Sequence, residues 1–346
     1  MTPMKILALV LAGGEGSRLY PLTAKHAKPA LPFAGGYRIV DFVLSNLVNS
    51  GIFSIYVLAQ YKPRSLIEHI RAAWMLACRG PKRLVNVVLP RTDVEPGCFK
   101  GTADAVYQNL ELVERHRPDL VAVFAADHVY RMDVRQMVRF HVERAAEVSI
   151  AAVPVPVEKA SSFGIIGTSA DGRVTDFQEK PERPVPIPAD PERAYASMGN
   201  YLFNPAVLAE LLQQAHRHRE TDFGRHVLPR ARCSHRVFAY DFAGNRVPGV
   251  RLHEERGYWR DVGNIETYMA ARQDVSGQEP RFRLINHEWP IHGGSYRRRA
   301  AKFADRMIRA GALATGRSPA ELGALSSRKR ESKPRTQAGE PTRTVL

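Results

Sequence analysis

The sequence has little cysteine: Cys78, Cys98 and Cys233 are three in 346 residues, odd in number and far apart. That excludes a disulfide scaffold and any CxxC metal site, and it points to a reducing, cytoplasmic compartment. There is no run of about 18 apolar residues, so no helical membrane span is expected. The apolar run Ile6–Ala12 is short and ends in GGEG rather than a small-residue cleavage site. It reads as a buried strand, not a signal peptide. There is no Walker A pattern, and GGEGSRL lacks the third glycine of a dinucleotide fingerprint. No internal repeat occurs, which excludes solenoids and propellers.

What is present is ordinary for a globular chain: 44% hydrophobic and 25% charged residues. The length suffices for one large domain or two ordinary ones, with a core that needs no metal or disulfide staple. The formal charge is +15. Residues 297–346 hold 13 Lys or Arg against 4 Asp or Glu, so about +9 of that charge sits in a tail rich in Arg, Ser, Pro and Gly. Such a tail reads as solvated and partly disordered, and nucleic acid is not an expected partner.

Up to residue 153 short apolar runs alternate with helical patterns. Strands are expected at Ile6–Leu11, Ile52–Ala59, Leu84–Leu89, Leu120–Ala126 and Val148–Val153. Helices are expected at Ile39–Val48, Arg64–Cys78, Ala103–Arg115 and Val134–Ala146. This alternation implies right-handed βαβ units and an α/β fold whose mainly parallel sheet is covered on both faces. Further on, shorter strands are expected at Phe163–Thr168, Val174–Phe177 and Tyr201–Phe203, and helices at Val207–His216 and Ile265–Asp274. Five prolines between 181 and 191 mark an extended surface loop. After Ile291 the rhythm fades, with one basic helix expected over Ala300–Ala314.

The Gly-rich turn after the first strand, LAGGEGSRLYPLTAKHAKPAL over 11–31, carries Gly13, Gly14 and Gly16 with Arg18, Lys25 and Lys28 close behind. Bare backbone N–H groups and fixed cations suit phosphate oxygens, whereas the glycines alone would also suit a tight turn. Asp127 ends the strand LVAVFAAD, where ligands of open α/β sheets collect. Its residue type leaves a metal ligand and a helix N-cap both open. Glu179-Lys180-Pro181 by itself reads as a surface turn, and Gln60 as a surface amide or a nucleotide contact. His128 reads as a hydrogen-bonded structural residue rather than a base. His216 and His218 read as a solvated helix end, not a zinc site.

Taken together, GGEGSRLYPLT, AKPALPFAGGYRIVDFVLSNLVNSGI (27–52), GTADAV (101–106), ADHVYRMD (126–133), SSFGII (161–166), EKP, SMGNYLF (197–203), TDFGRHVLP (221–229) and YWRDVGNIETY (258–268) resemble the ADP-glucose pyrophosphorylases (glucose-1-phosphate adenylyltransferases). The resemblance implies a Rossmann-like nucleotidyltransferase fold, a mostly parallel mixed sheet with helices on both faces, over residues 1–291. It implies transfer of the adenylyl group of ATP to glucose 1-phosphate, with Mg²⁺ held by Asp127 and Asp261. Arg18 and Lys28 would then serve the phosphates with Asp127. Glucose 1-phosphate would meet Phe99, Gly164, Glu179, Lys180 and Ser197. The nucleotide would meet Gly13, Gly14, Gly16, Gln60, Gly101 and Thr102. Lys25 matches a lysine linked to a sugar-phosphate activator, and the family is homotetrameric.

The chain departs from that family in three places. Phe99 stands where an aromatic hydroxyl is usual, and the segment from Pro90 to Gly101 diverges. Residues 292–346 are a basic tail in place of a left-handed β-helix domain. Two other readings therefore stay open: a catalytically weak or inactive regulatory homologue, and a uridylyl- or thymidylyltransferase.

Overall fold

A computed structural model describes residues 4–74, 84–91 and 97–293. The tail from residue 294, the helix expected over 300–314, and residues 75–78 of the helix expected at Arg64–Cys78 lie outside the described residues. The strands, in chain order, are β1 (Ile6–Ala12), β2 (Pro32–Phe33), β3 (Tyr37–Arg38), β4 (Ser54–Ala59), β5 (Leu84–Val88), β6 (Leu120–Ala125), β7 (His128–Tyr130), β8 (Val148–Pro156), β9 (Gly164–Thr168), β10 (Val174–Glu179), β11 (Arg193–Phe203), β12 (Val237–Asp241) and β13 (Trp259–Asp261).

Among the described residues, nine strands form one mixed sheet ordered β10-β9-β11-β6-β1-β4-β5, with β8 beside β11 and β12 beside β8. β1 pairs in parallel with β4 and β6, and β4 with β5. β11 then joins antiparallel to β6, β8 and β9. Helices cover both faces. Along β1, Ala8, Val10 and Ala12 face one apolar cluster while Leu7 and Leu9 face the other. Burial on both sides is why the strand reads as an unbroken apolar run.

The helix over Val40–Asn49 fits its expectation. That expected over Ala103–Arg115 is broken in two, Thr102–Tyr107 and Leu110–His116. Asn109 interrupts it, with its side chain donating to Ala105 O at 2.8 Å. Such an amide competes with helical continuation. β11 is much longer than the expected Tyr201–Phe203. Its first half alternates buried Ala194, Ala196 and Met198 with half-exposed Tyr195 and Ser197, so small and polar residues hide the strand pattern. Cys98 and Cys233 are free thiols. Among the described residues no helix is long and apolar enough to cross a membrane.

Candidate active site

The register builds the site. Leu11 of β1 lies level with Leu58 of β4 and Ala125 of β6. All three strands therefore end at one edge, and the residues that follow them converge there. A cavity of about 450 Å³ opens at this edge, with Gly13, Gly14, Gln60, Phe99, Gly101, Thr102, Asp127 and Glu179 in its walls. Gly16 turns the loop with a φ of 70°, and a β-carbon there would press on Thr23 and Lys28. The Thr23 hydroxyl donates to Gly16 O at 2.9 Å, which closes the turn. The short helical turn Lys28–Ala30 follows, and its packing buries Lys28.

Lys28 sits between two carboxylates. Its Nζ is 2.7 Å from Asp127 Oδ2 and 3.6 Å from Asp261 Oδ1. Residues 134 apart in sequence meet because β7 and β13 pair antiparallel, with Asp261 level with His128. Burial alone would raise the Asp127 carboxyl, but the Lys28 ammonium and His128 hold it well below the usual carboxylate range. Burial likewise opposes the charge on Lys28, and the two carboxylates outweigh it and raise its pKa. The N-cap alternative for Asp127 fails. The next helix, Val134–Glu143, is capped by Asp133, which accepts from Arg135 N.

His128 differs from expectation. Instead of a hydrogen-bonded structural residue it is part of the carboxylate cluster. Its Nε2 lies 3.4 Å from Asp127 and 3.9 Å from Asp261. Its Nδ1 is buried with no hydrogen-bond partner among the described residues. The ligand atoms of Asp127, His128 and Asp261 all lie within 4.8 Å of one another, a donor set able to hold a metal ion.

The opposite wall carries Glu179, the last residue of β10, paired with Gly164 of β9. Glu179 Oε2 lies against Gly164 and Gly224, 3.0 and 2.7 Å from where β-carbons would stand. Lys180 follows with a φ of 53°, a left-handed conformation that a lysine adopts at a cost. Its Nζ is 3.4 Å from Glu179, and its side chain stays half exposed. In β11 the register slips between Ser197 and Tyr201, and the Ser197 hydroxyl accepts from Gly199 N at 3.3 Å. On the other side, the Gln60 side-chain oxygen accepts from Phe99 N, which ties two residues of the wall together. Arg18 is exposed and is not among the residues in the cavity walls; its guanidinium lies beside Gly263, two residues past Asp261. Lys25 is exposed and lies outside the cavity walls.

The nucleotidyl transferase family model matches residues 7–278, most of the chain. A glucose-1-phosphate adenylyltransferase of Thermodesulfovibrio yellowstonii is 51% identical over 315 residues, covering 90% of this chain and 76% of that protein. One from Thermus thermophilus is 47% identical, covering 88% of this chain and 74% of its own length. One from Anaeromyxobacter dehalogenans is 50% identical, covering 86% and 73%. The chain belongs to the glucose-1-phosphate adenylyltransferase family.

For an adenylyltransferase of this family, the sequence reading named eight of the nineteen residues that line the cavity. Tyr201, Asp222, Phe223 and Gly224 also line the cavity. The strings SMGNYLF and TDFG contain them, but nothing in a string says which alternate residues of β11 face the cleft. Burial pushes the Tyr201 phenol up. The hydroxyl thus stays protonated, available as a donor. His216 ends the helix Pro205–Arg217 as expected, stacked on Tyr107 at 4.1 Å between ring centroids.

Proposed function

We propose that the chain transfers the adenylyl group of ATP to glucose 1-phosphate, releasing pyrophosphate and forming ADP-glucose for α-glucan synthesis. One observation carries this reading: the meeting of Asp127, Lys28 and Asp261 at the sheet edge, between a Gly-rich loop and the Glu179–Lys180 turn. A phosphate oxygen of glucose 1-phosphate attacks the α-phosphorus of ATP, and the bond from that phosphorus to the pyrophosphate oxygen breaks. The nucleophile is already anionic, so no residue is needed as a base. Catalysis then rests on position and charge.

Gly13 and Gly14 bring backbone close to the phosphates, and Arg18 neutralises the departing pyrophosphate. Gln60, Gly101 and Thr102 form the nucleotide wall. Glu179 accepts from sugar hydroxyls, while Lys180 orients the sugar phosphate beside Ser197, Gly164 and Phe99. Asp127 and Asp261, hard oxygen donors, suit Mg²⁺. When bound there, Mg²⁺ supplies charge neutralisation between the phosphates. Lys28 holds the two carboxylates together and shares their charge.

The test is pyrophosphate release from purified protein with Mg²⁺ and glucose 1-phosphate, comparing ATP, UTP and dTTP. Release with ATP well above the other two is the expected result. Preference for UTP or dTTP would replace adenylyl transfer with the related reaction, and silence from folded protein would favour a regulatory homologue.

A further inference from the structure

Thr102 belongs by position to the nucleotide wall, yet its hydroxyl is committed elsewhere. Its Oγ1 donates to Asp222 Oδ2 at 3.0 Å and accepts from Phe223 N at 3.0 Å. A threonine hydroxyl has one proton, and here the Asp222 carboxylate, 120 residues along the chain, takes it. No proton is left for a nucleotide phosphate or base.

The backbone on either side makes the same connection. Ala103 N and Asp104 N both donate to Thr221 O, at 2.8 and 3.2 Å. That carbonyl thus occupies the N-terminus of the helix Thr102–Tyr107, which has no side-chain cap. Gly101 lies flat on the same peptide, and any β-carbon there would collide with the Thr221 carbonyl. Asp222 is fixed from its other side as well, since Oδ1 accepts from Arg225 N at 3.0 Å. Asp222 and Gly224 stand beside Glu179 in the sugar wall.

We infer that Thr102 is a positioning residue that clasps the nucleotide wall (101–104) to the sugar wall (221–224), and acts on glucose 1-phosphate through Asp222. This rests on the reaction proposed above.

Thr102→Val replaces the hydroxyl by a methyl of the same shape, and Thr102→Ser keeps the hydroxyl. One hydrogen bond to an accessible carboxylate corresponds to roughly a fivefold effect. For Thr102→Val, the apparent KM for glucose 1-phosphate rises by about that factor. The KM for ATP stays within about twofold, and Thr102→Ser restores both. Calorimetric titration of glucose 1-phosphate, with a non-hydrolysable ATP analogue present, reads the same loss without turnover. A rise in the ATP KM equal to or larger than the other would overturn the clasp in favour of direct nucleotide contact. Unchanged affinities with a lowered unfolding midpoint would reduce Thr102 to a structural residue. Wild-type protein that releases no pyrophosphate sinks the proposed reaction instead, while the titration still decides the role of Thr102.

Discussion

Asp127 shows how much one carboxylate is asked to do. It faces a buried ammonium 2.7 Å away and a second carboxylate held beyond that ammonium. Asparagine has the same shape but no charge, so Asp127→Asn leaves Lys28 with Asp261 alone and removes a hard anionic donor from the cluster. Turnover should fall by roughly 10²–10³-fold, the usual cost of one electrostatic partner at the transition state, while the unfolding midpoint changes little. Steady-state kinetics beside a thermal melt checks this. Near wild-type turnover would remove Asp127 from the chemistry. The same residue shows what a single position cannot reveal. From its place at the end of a strand, Asp127 reads as a cap or a ligand, and only the fold removes the first, since Asp133 caps the next helix.

At the scale of elements, the decisive piece is β13, three residues long. A strand so short cannot hold itself, and its pairing with β7 needs an anchor. Arg260 supplies it from the side opposite Asp261. Its guanidinium meets both oxygens of Glu255 at 2.9 and 2.7 Å and Asp274 Oδ2 at 2.9 Å, over the Tyr258 ring. The planar fork of arginine suits this set, as an ammonium would not. Arg260→Met keeps the apolar stem and leaves Glu255 with only Arg281, 3.7 Å away, and Asp274 with Arg281 at 3.8 Å and the Tyr258 hydroxyl at 3.1 Å. The expected loss is about 1–2 kcal/mol, modest because the pair is partly exposed, with a fall in kcat larger than that of a surface control. Denaturant titration and kinetics on one preparation test it. An unchanged kcat would show that β13 holds Asp261 without the clamp.

For the molecule as a whole, the layers on either side of the sheet are tied by buried polar groups that respond to pH. His141, on the helix Val134–Glu143, is 2% exposed. It bonds Ser149 of β8 at 2.8 Å and Asn204, ahead of the helix Pro205–Arg217, at 3.2 Å. Burial lowers its pKa below the ordinary 6.5, although the Asn204 bond opposes this. The unfolded chain therefore takes up the proton more readily than the folded one. Stability from this group is present in full above about pH 6.5 and drains away as the pH falls below it. Between about pH 7.5 and pH 5.5 the wild-type denaturation midpoint should drop, and His141→Gln should drop less. Equal slopes for the two proteins would assign the loss to other groups, His116 among them, since burial and nearby Lys5 and Arg115 also lower its pKa.

The amino-acid sequence by itself determined the α/β class, because strands buried on both faces must be apolar throughout and helices must not. The Gly-rich turn also stands out as a local string, whereas the Glu179–Lys180 turn and Asp261 are singled out only by the family resemblance, because EKP alone reads as a surface turn. The sequence could not show the first half of β11, where Ala194, Ala196 and Ser197 carry no strand signal, nor the break at Asn109. Tertiary structure alone decided which residues share the cavity. The parallel register of β1, β4 and β6 brings Gly13, Gln60 and Asp127 to one edge, and the β7–β13 pair brings Asp261 to Lys28. It also joined the Thr102 hydroxyl to Asp222, 120 residues along the chain. The physical reason is common to all three. A side chain's partner is set by pairing between distant segments, and a motif records only what is near it in the chain.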